Sequence, residues 1–255
     1  MSESVPTRTR RGPLNAIRKN KRLGELLSDL HRESDEEVLG KARSLFRGDD
    51  ESFSKIVKEY GLLAPEEKGK FLRTHGISIQ DPSFSLCVSP AMGEFLFNLV
   101  LSSKSERILE LGSSNGVSTL YFAEALRLSG RGKVIATESE EKKCRRILQN
   151  ASMAGLSDFV GLRKGNVFET VDGLSGPFDL VFIDIWADGY LGIFKKVEPL
   201  LKSGSIIVAD NMFTAFEEVC PFKEYLDERS DIVNTTLNLE SGVEFGVVLG
   251  PEETL

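Results

Sequence analysis

Between residues 107 and 210 the chain alternates between two hydrophobic spacings. The short runs "RILEL", "KVIATE", "FVGLRKG", "FDLVFID" and "GSIIVAD" are almost wholly apolar and rich in β-branched residues, as buried strands are. The segments between them, "VSTLYFAEALRL", "EEKKCRRILQNASMAG" and "YLGIFKKVEPLLK", repeat apolar residues three or four apart, which is the spacing of a helix with one buried face. Gly155 closes the second of these helices. Strands and helices in alternation over this length predict a doubly wound, mostly parallel α/β sheet with helices on both faces. The pattern then changes. "DIVNTTLNLESGVEFGVVLG" reads as two β-rich runs joined at Glu240-Ser241-Gly242, an antiparallel hairpin that brings the expected sheet to seven strands.

Upstream the organisation is different. Residues 1–22 carry Arg8, Arg10, Arg11, Arg18, Lys19, Lys21 and Arg22, and the stretch to about residue 70 is helix-patterned and acidic in places. "IQDPSFSLCVSP" reads as an extended connection, after which "SPAMGEFLFNLVLS" opens a helix with Ser89 as N-cap and Pro90 in the first turn. The expected division is a basic tail and helical extension over residues 1–80, followed by the sheet domain over 81–255.

In an open parallel sheet, ligands bind beyond the carboxyl ends of the strands, where the strand order reverses. The acids of this chain stand at such ends. Asp184 follows "FDLVFI", and Asp210-Asn211 follows "GSIIVA". An aspartate in that position is either a ligand group or the N-cap of the next helix, and two such ends with three polar groups favour the ligand. The loop "ELGSSNGVS" has Gly112 and Gly116 but Ser114 at the middle glycine of a dinucleotide fingerprint, which argues for a cofactor without a pyrophosphate. Glu110 at the strand end would repel phosphates and suits an ammonium group. Glu138, ending the second strand, is placed to accept hydrogen bonds from a ribose diol, with a helix cap as the plainer alternative.

The stretches "VSPAMGEFLFNLVLSSKSERILELGSSNGVSTLYFAEAL", "VIATESEEKKCRRILQNASMAGL", "GNVFETV" and "FDLVFIDIWADGYLGIFKKVEPLLKSGSIIVADNM" together resemble the class I S-adenosylmethionine-dependent O-methyltransferases of the catechol and caffeoyl-CoA type. The resemblance implies a Rossmann-like methyltransferase fold from about Val88 onward. It also implies transfer of a methyl group from S-adenosyl-L-methionine to a hydroxyl of a small-molecule acceptor. It assigns Val88, Glu110, Gly112 and Ser118 to the methionine part and loop of the cofactor, Glu138 to the ribose, and Asn166 and Val167 to the adenine, although relatives usually carry Asp where Asn166 stands. Asp184, Asp210 and Asn211 match the ligands of a divalent metal ion, Mg²⁺ in the first place, with Asp184 also the catalytic candidate. Two carboxylates and an amide oxygen form a hard, all-oxygen donor set suited to such an ion. Trp186 and Phe213 are candidates to line an aromatic acceptor pocket, with core packing as the alternative. The chain departs from the family pattern at Ala187, where relatives carry a Lys that serves as general base. Metal-independent transfer on the same fold and a non-catalytic cofactor-binding homologue are therefore kept as alternatives.

Composition narrows the rest. A net charge of −7 gives no global attraction to nucleic acid or anionic lipid. No apolar run approaches the roughly 18 residues of a membrane span, and the first residues lack the apolar core of a secretory signal. Cys87, Cys144 and Cys220 are widely spaced and odd in number, which fits a reducing compartment. The expected setting is cytoplasmic, without nucleic-acid or membrane partners. A homodimer is compatible with the pattern, which does not fix the oligomeric state.

Overall fold

The computed structural model describes residues 17, 20–45, 49–63, 71, 74–75 and 87–251; most of the expected basic tail and of the extended connection lies outside them. Its elements run α1 (Lys21–Leu45), α2 (Asp50–Leu62), α3 (Pro90–Ser103), β1 (Arg107–Leu111), α4 (Val117–Ser129), β2 (Lys133–Glu138), α5 (Glu141–Met153), β3 (Val160–Lys164), α6 (Val167–Thr170), β4 (Phe178–Ile183), α7 (Tyr190–Val197), β5 (Leu201–Ala209), α8 (Phe216–Asp227), β6 (Ile232–Leu237) and β7 (Val243–Val248). The seven strands form one sheet in the order β3-β2-β1-β4-β5-β7-β6. The first five are parallel, and β7 inserts antiparallel between β5 and β6. The order reverses between β1 and β4, so the crevice expected of such a sheet lies at their carboxyl ends.

Alternation along the strands divides the core into two layers. On one face Ile108, Leu180, Phe182 and Val208 pack with Leu96 and Phe97 of α3 and Leu120 and Phe122 of α4. On the other, Leu109, Leu111, Val181 and Ile183 pack with Tyr190 and Phe194 of α7 and Phe222 of α8. The N-terminal extension shares the first layer. Ile17, Leu23, Leu27 and Leu30 are buried in it, and Asn20 Nδ2 donates to the fully buried carboxylate of Glu124 at 3.1 Å.

Local signals hold closely at α3, where Ser89 is the N-cap and its hydroxyl accepts from Met92 N at 3.2 Å, with Pro90 in the first turn. The helix read over "YLGIFKKVEPLLK" is shorter than expected. It stops at Val197, Glu198–Leu200 tighten into a 3₁₀ turn, and β5 begins at Leu201. Pro199 has no N–H to continue an α-helical ladder. Among the described residues no helix is long and apolar enough to cross a membrane.

Candidate active site

The site is built from three neighbouring strand ends. At the first, β1 delivers Glu110, and Gly112 turns the chain with a φ of +86°. A side chain at Gly112 is disfavoured on two counts: the left-handed backbone, and a Cβ only 2.1 Å from the carbonyl oxygen of Asp184. The two loops therefore touch backbone to backbone. Gly112 N donates to Thr137 Oγ1 at 3.1 Å and Ser113 N to Thr137 O at 3.0 Å, which fastens the loop to β2.

Glu110 is fully buried. Its Oε2 accepts from Ser113 Oγ at 2.8 Å and Thr119 Oγ1 at 2.5 Å, whereas its Oε1 is buried without a partner. Burial raises the carboxyl from 4.5 to about 7; hydroxyls of Ser118, Thr119 and Ser113 oppose the rise, and the charge of Glu138 adds to it. Such a group has room for a cation. Glu138, at the end of β2, accepts from Ser139 N and Glu140 N through Oε1, each at 2.8 Å, and from Ser114 N through Oε2 at 2.9 Å. Its carboxylate thus shapes the loop around the crevice. The helix cap itself is Glu140, which makes no side-chain capping bond.

The other two ends bring Asp184, Asp210 and Asn211 together. Asp184 N donates to Leu111 O at 2.9 Å and Asp210 N to Ile183 O at 3.1 Å, so each strand end hangs on its neighbour. Asn211 adopts a left-handed conformation, φ +63°, which asparagine tolerates better than most side chains. Its Nδ2 donates to Asp184 Oδ1 at 3.2 Å, and its Oδ1 accepts from Thr214 Oγ1 at 3.1 Å. Asp210 Oδ1 accepts from Asn211 N at 2.7 Å and Ser241 Oγ at 2.5 Å. Neither aspartate is a helix N-cap: the turn after β4 is capped by Trp186 and α8 by Ala215.

Burial pushes the Asp184 carboxyl well up, and the charges of Asp210 and then Glu110 push it further. Asp210 is raised by burial first, with Glu240 adding, while bonds from Ser241 and Asn211 N pull it down. Among the described residues no basic side chain is one of the groups acting on either. Among the described residues no three His, Cys, Asp or Glu side chains group around one point. A pair of crowded carboxylates without a basic neighbour, beside an amide, fits a divalent cation. Ligation by Asn211 Oδ1 requires its amide to turn over from the orientation it has here.

A methyltransferase-domain family model matches residues 109–212, from the second residue of β1's apolar pair to just past the Asp210-Asn211 end. Around this stretch the chain is similar to catechol and caffeoyl-CoA O-methyltransferases. A catechol O-methyltransferase of Niastella koreensis is 36% identical over 132 residues, 50% of this chain and 59% of that protein. Caffeoyl-CoA O-methyltransferase 1 of Eucalyptus globulus is 28% identical over 162 residues, 62% of this chain and 65% of that protein. The chain spans less than two thirds of the length of either relative. An O-methyltransferase from Bacillus cereus, solved in complex with S-adenosylhomocysteine, superposes with a TM-score of 0.60 at 26% identity, over 72% of this chain and 90% of that one.

The structure places the remaining predicted residues as follows. Val88 is buried just before α3, and Ser118 is buried in the first turn of α4 beside Glu110. Asn166 caps α6, accepting from Phe168 N at 2.9 Å, and Val167 begins that helix, partly buried against the second core layer. Trp186 is 47% exposed next to Asp184. Phe213 is half-buried, its ring filling the space beside Gly242. Ala187 is buried in the second layer, and Asp188 is exposed.

Several site residues carried no sequence signal. Ser113 and Thr119 hold Glu110, Tyr190 OH donates to Asp210 O at 3.2 Å, and Ser241 holds Asp210 from 31 residues away. Ser113 and Thr119 were within reach of a reading that asked which hydroxyls could satisfy a buried Glu110; Ser241 was not.

Proposed function

We propose that the chain transfers the methyl group of S-adenosyl-L-methionine to a hydroxyl oxygen of a small molecule, with a divalent ion, Mg²⁺ in the first place, held by Asp184, Asp210 and Asn211. The observation that carries the reading is the buried, unpartnered Oε1 of Glu110, which stands at the strand end next to the crowded Asp184–Asp210 pair. When bound, the sulfonium supplies an electrophilic methyl and the ion lowers the pKa of an acceptor hydroxyl.

The chain's own residues then have distinct tasks. Glu110 would take the cofactor's ammonium on Oε1, ionising as it does so, while Ser113 and Thr119 keep Oε2 in place. Glu138 would receive the ribose diol, and its bond from Ser114 N holds the loop that covers it. Asn166 and Val167 would border the adenine. Half-exposed Trp186 would flank a planar acceptor beside Asp184. Ala187 offers no proton acceptor, so the acceptor hydroxyl must be made acidic by what binds it or be acidic already. Positioning of oxygen and methyl supplies much of the acceleration.

The amide orientation of Asn211, Nδ2 towards Asp184, favours a second reading in which transfer needs no metal. One experiment separates them. Calorimetry with S-adenosylhomocysteine and, separately, with Mg²⁺ should give binding of each, with Asp210→Ala losing Mg²⁺ and keeping the nucleoside. Methyl transfer to polyhydroxylated phenols, followed by mass, should stop in excess EDTA. Full turnover in EDTA supports the metal-free reading, and absence of S-adenosylhomocysteine binding sinks both.

A further inference from the structure

A cavity of about 490 Å³ opens between α1, the loop that follows β1 and the start of α5. Cys87 lines it, together with Leu30 and Ser34 of α1, Asn115 of the loop and Val117 at the start of α4. The thiol is not isolated. Cys87 Sγ lies 3.6 Å from His31 Nδ1, and the other ring nitrogen, Nε2, lies 3.4 Å from the hydroxyl of Tyr121. Nucleophile, base and the group that orients the base are thus in sequence, contributed by the segment before α3, by α1 and by α4. Tyr121 is itself fixed in place: it is buried, and only a glycine at position 93 leaves room for its ring. None of these three residues has a part in methyl transfer as proposed above.

We propose that Cys87 is a site of S-thiolation, activated by His31 and Tyr121, at which the thiolate exchanges with a low-molecular-weight peptide disulfide held in the cavity. The step balances without any further oxidant. The thiol proton passes to His31, the Cys87 sulfur attacks one sulfur of the disulfide, and the old S–S bond breaks as the new one forms. The other half leaves as a thiolate and takes the proton from His31. The walls suit a small zwitterionic peptide. Glu33 and Glu37 lie on the α1 side, Lys142, Lys143 and Arg146 on the α5 side, and the volume is that of a small-molecule pocket. Part of this charge is paired across the cavity, Arg146 with Glu33, and part locally, Lys143 with Glu140 at 3.7 Å.

The other two thiols are disfavoured. Cys144 is fully buried, with its Sγ donating to Glu138 O at 3.3 Å, and burial raises its pKa. Cys220 donates to Glu224 Oε1 at 3.4 Å, a bond that raises its pKa as well. The consequence of an adduct rests on the cofactor reading above. Cys87 directly precedes Val88, and the cavity shares Asn115 with the loop around the crevice and Val117 with the start of α4, so a bulky substituent there should loosen cofactor binding.

The test incubates the full chain with oxidised glutathione near pH 7 and maps adducts by peptide mass. Expected is a single glutathionyl group on Cys87, formed about tenfold faster than any on Cys220, as a thiolate fraction raised by a base neighbour requires. His31→Gln should slow it about tenfold. Modification of Cys220 first, or an unchanged rate in His31→Gln, overturns the proposal. Should that variant fail to fold, alkylation of unaltered protein by iodoacetamide gives the answer: a midpoint for Cys87 below that of free cysteine supports it, and one at or above overturns it. Calorimetry with S-adenosylhomocysteine should then show about tenfold weaker binding to the thiolated protein. Equal binding overturns the link to the cofactor, whereas no binding by unmodified protein sinks the cofactor reading alone.

Discussion

Replacing Glu110 by Gln should stabilise the free protein in alkaline solution. Glu110 titrates near 7 in the folded chain, against an ordinary 4.5, because burial disfavours its charge. Below 4.5 the group is protonated in both states and contributes its full stabilisation. Between 4.5 and 7 only the folded state holds the proton, so stability falls as pH rises through this window and stays low above it. The shift corresponds to about 3 kcal/mol between the two limits. Gln is neutral throughout and escapes the loss. It keeps an oxygen for Ser113 and Thr119 but places an amide NH₂ where Oε1 has no partner, a penalty of about 1 kcal/mol. The net expectation is a gain of about 2 kcal/mol at pH 8.5 and a loss of about 1 kcal/mol at pH 4.5, in EDTA and without cofactor. Urea titrations of both proteins at the two pH values measure it. An effect of the same size at both, or no gain at pH 8.5, would refute the reasoning. The same variant should lose most of its affinity for S-adenosylhomocysteine, since the proposed ammonium contact loses its charge.

Three further expectations follow from contacts. Gly112→Ala should cost roughly 2–4 kcal/mol in chemical denaturation, from the left-handed φ and the approach of Asp184 O, and a near-neutral result would mean the two loops are not pressed together. Ile17→Ala should cost about 2–4 kcal/mol if the N-terminal segment shares the main core as described; a loss below about 0.5 kcal/mol would detach it. Ala187→Lys puts an ammonium where the second layer is buried, so it should lower the melting temperature by several degrees rather than supply a base, and unchanged melting with faster methyl transfer would show that the side chain reaches the crevice.

The sheet, the order of its elements and the position of the crevice were legible because hydrophobic spacing reports burial directly. The two aspartates were legible for the same reason: each ends an apolar run, and such runs end at the crevice. What the spacing could not convey is contact between distant segments. Nothing local to "NTTLNLESGVEFG" says that Ser241 will meet Asp210, or that Glu240 will bond the Ser89 hydroxyl 151 residues away. That Ile17 and Leu23 pack in the first core layer and Asn20 bonds Glu124 was not legible for a similar reason, since a basic stretch hides the few apolar residues that dock. Phe213, an acceptor-pocket candidate, is half-buried with its ring against Gly242, a contact that only the fold reveals.

The turn between β6 and β7 has one more consequence. Met212 N donates to Gly242 O, Phe213 N to Ser241 O, and Ser241 Oγ to Asp210, while Glu240 bonds the residue that caps α3. A ribosome making this chain has produced every predicted ligand by residue 211, yet the segment that fastens them emerges some thirty residues later. A nascent chain stalled before Ser241 would carry the whole motif and still leave Asp210 without its hydroxyl partner. The order of synthesis thus makes assembly of the crevice one of the last events in the birth of the protein, and a break late in translation would leave a product that carries the motif without a finished pocket.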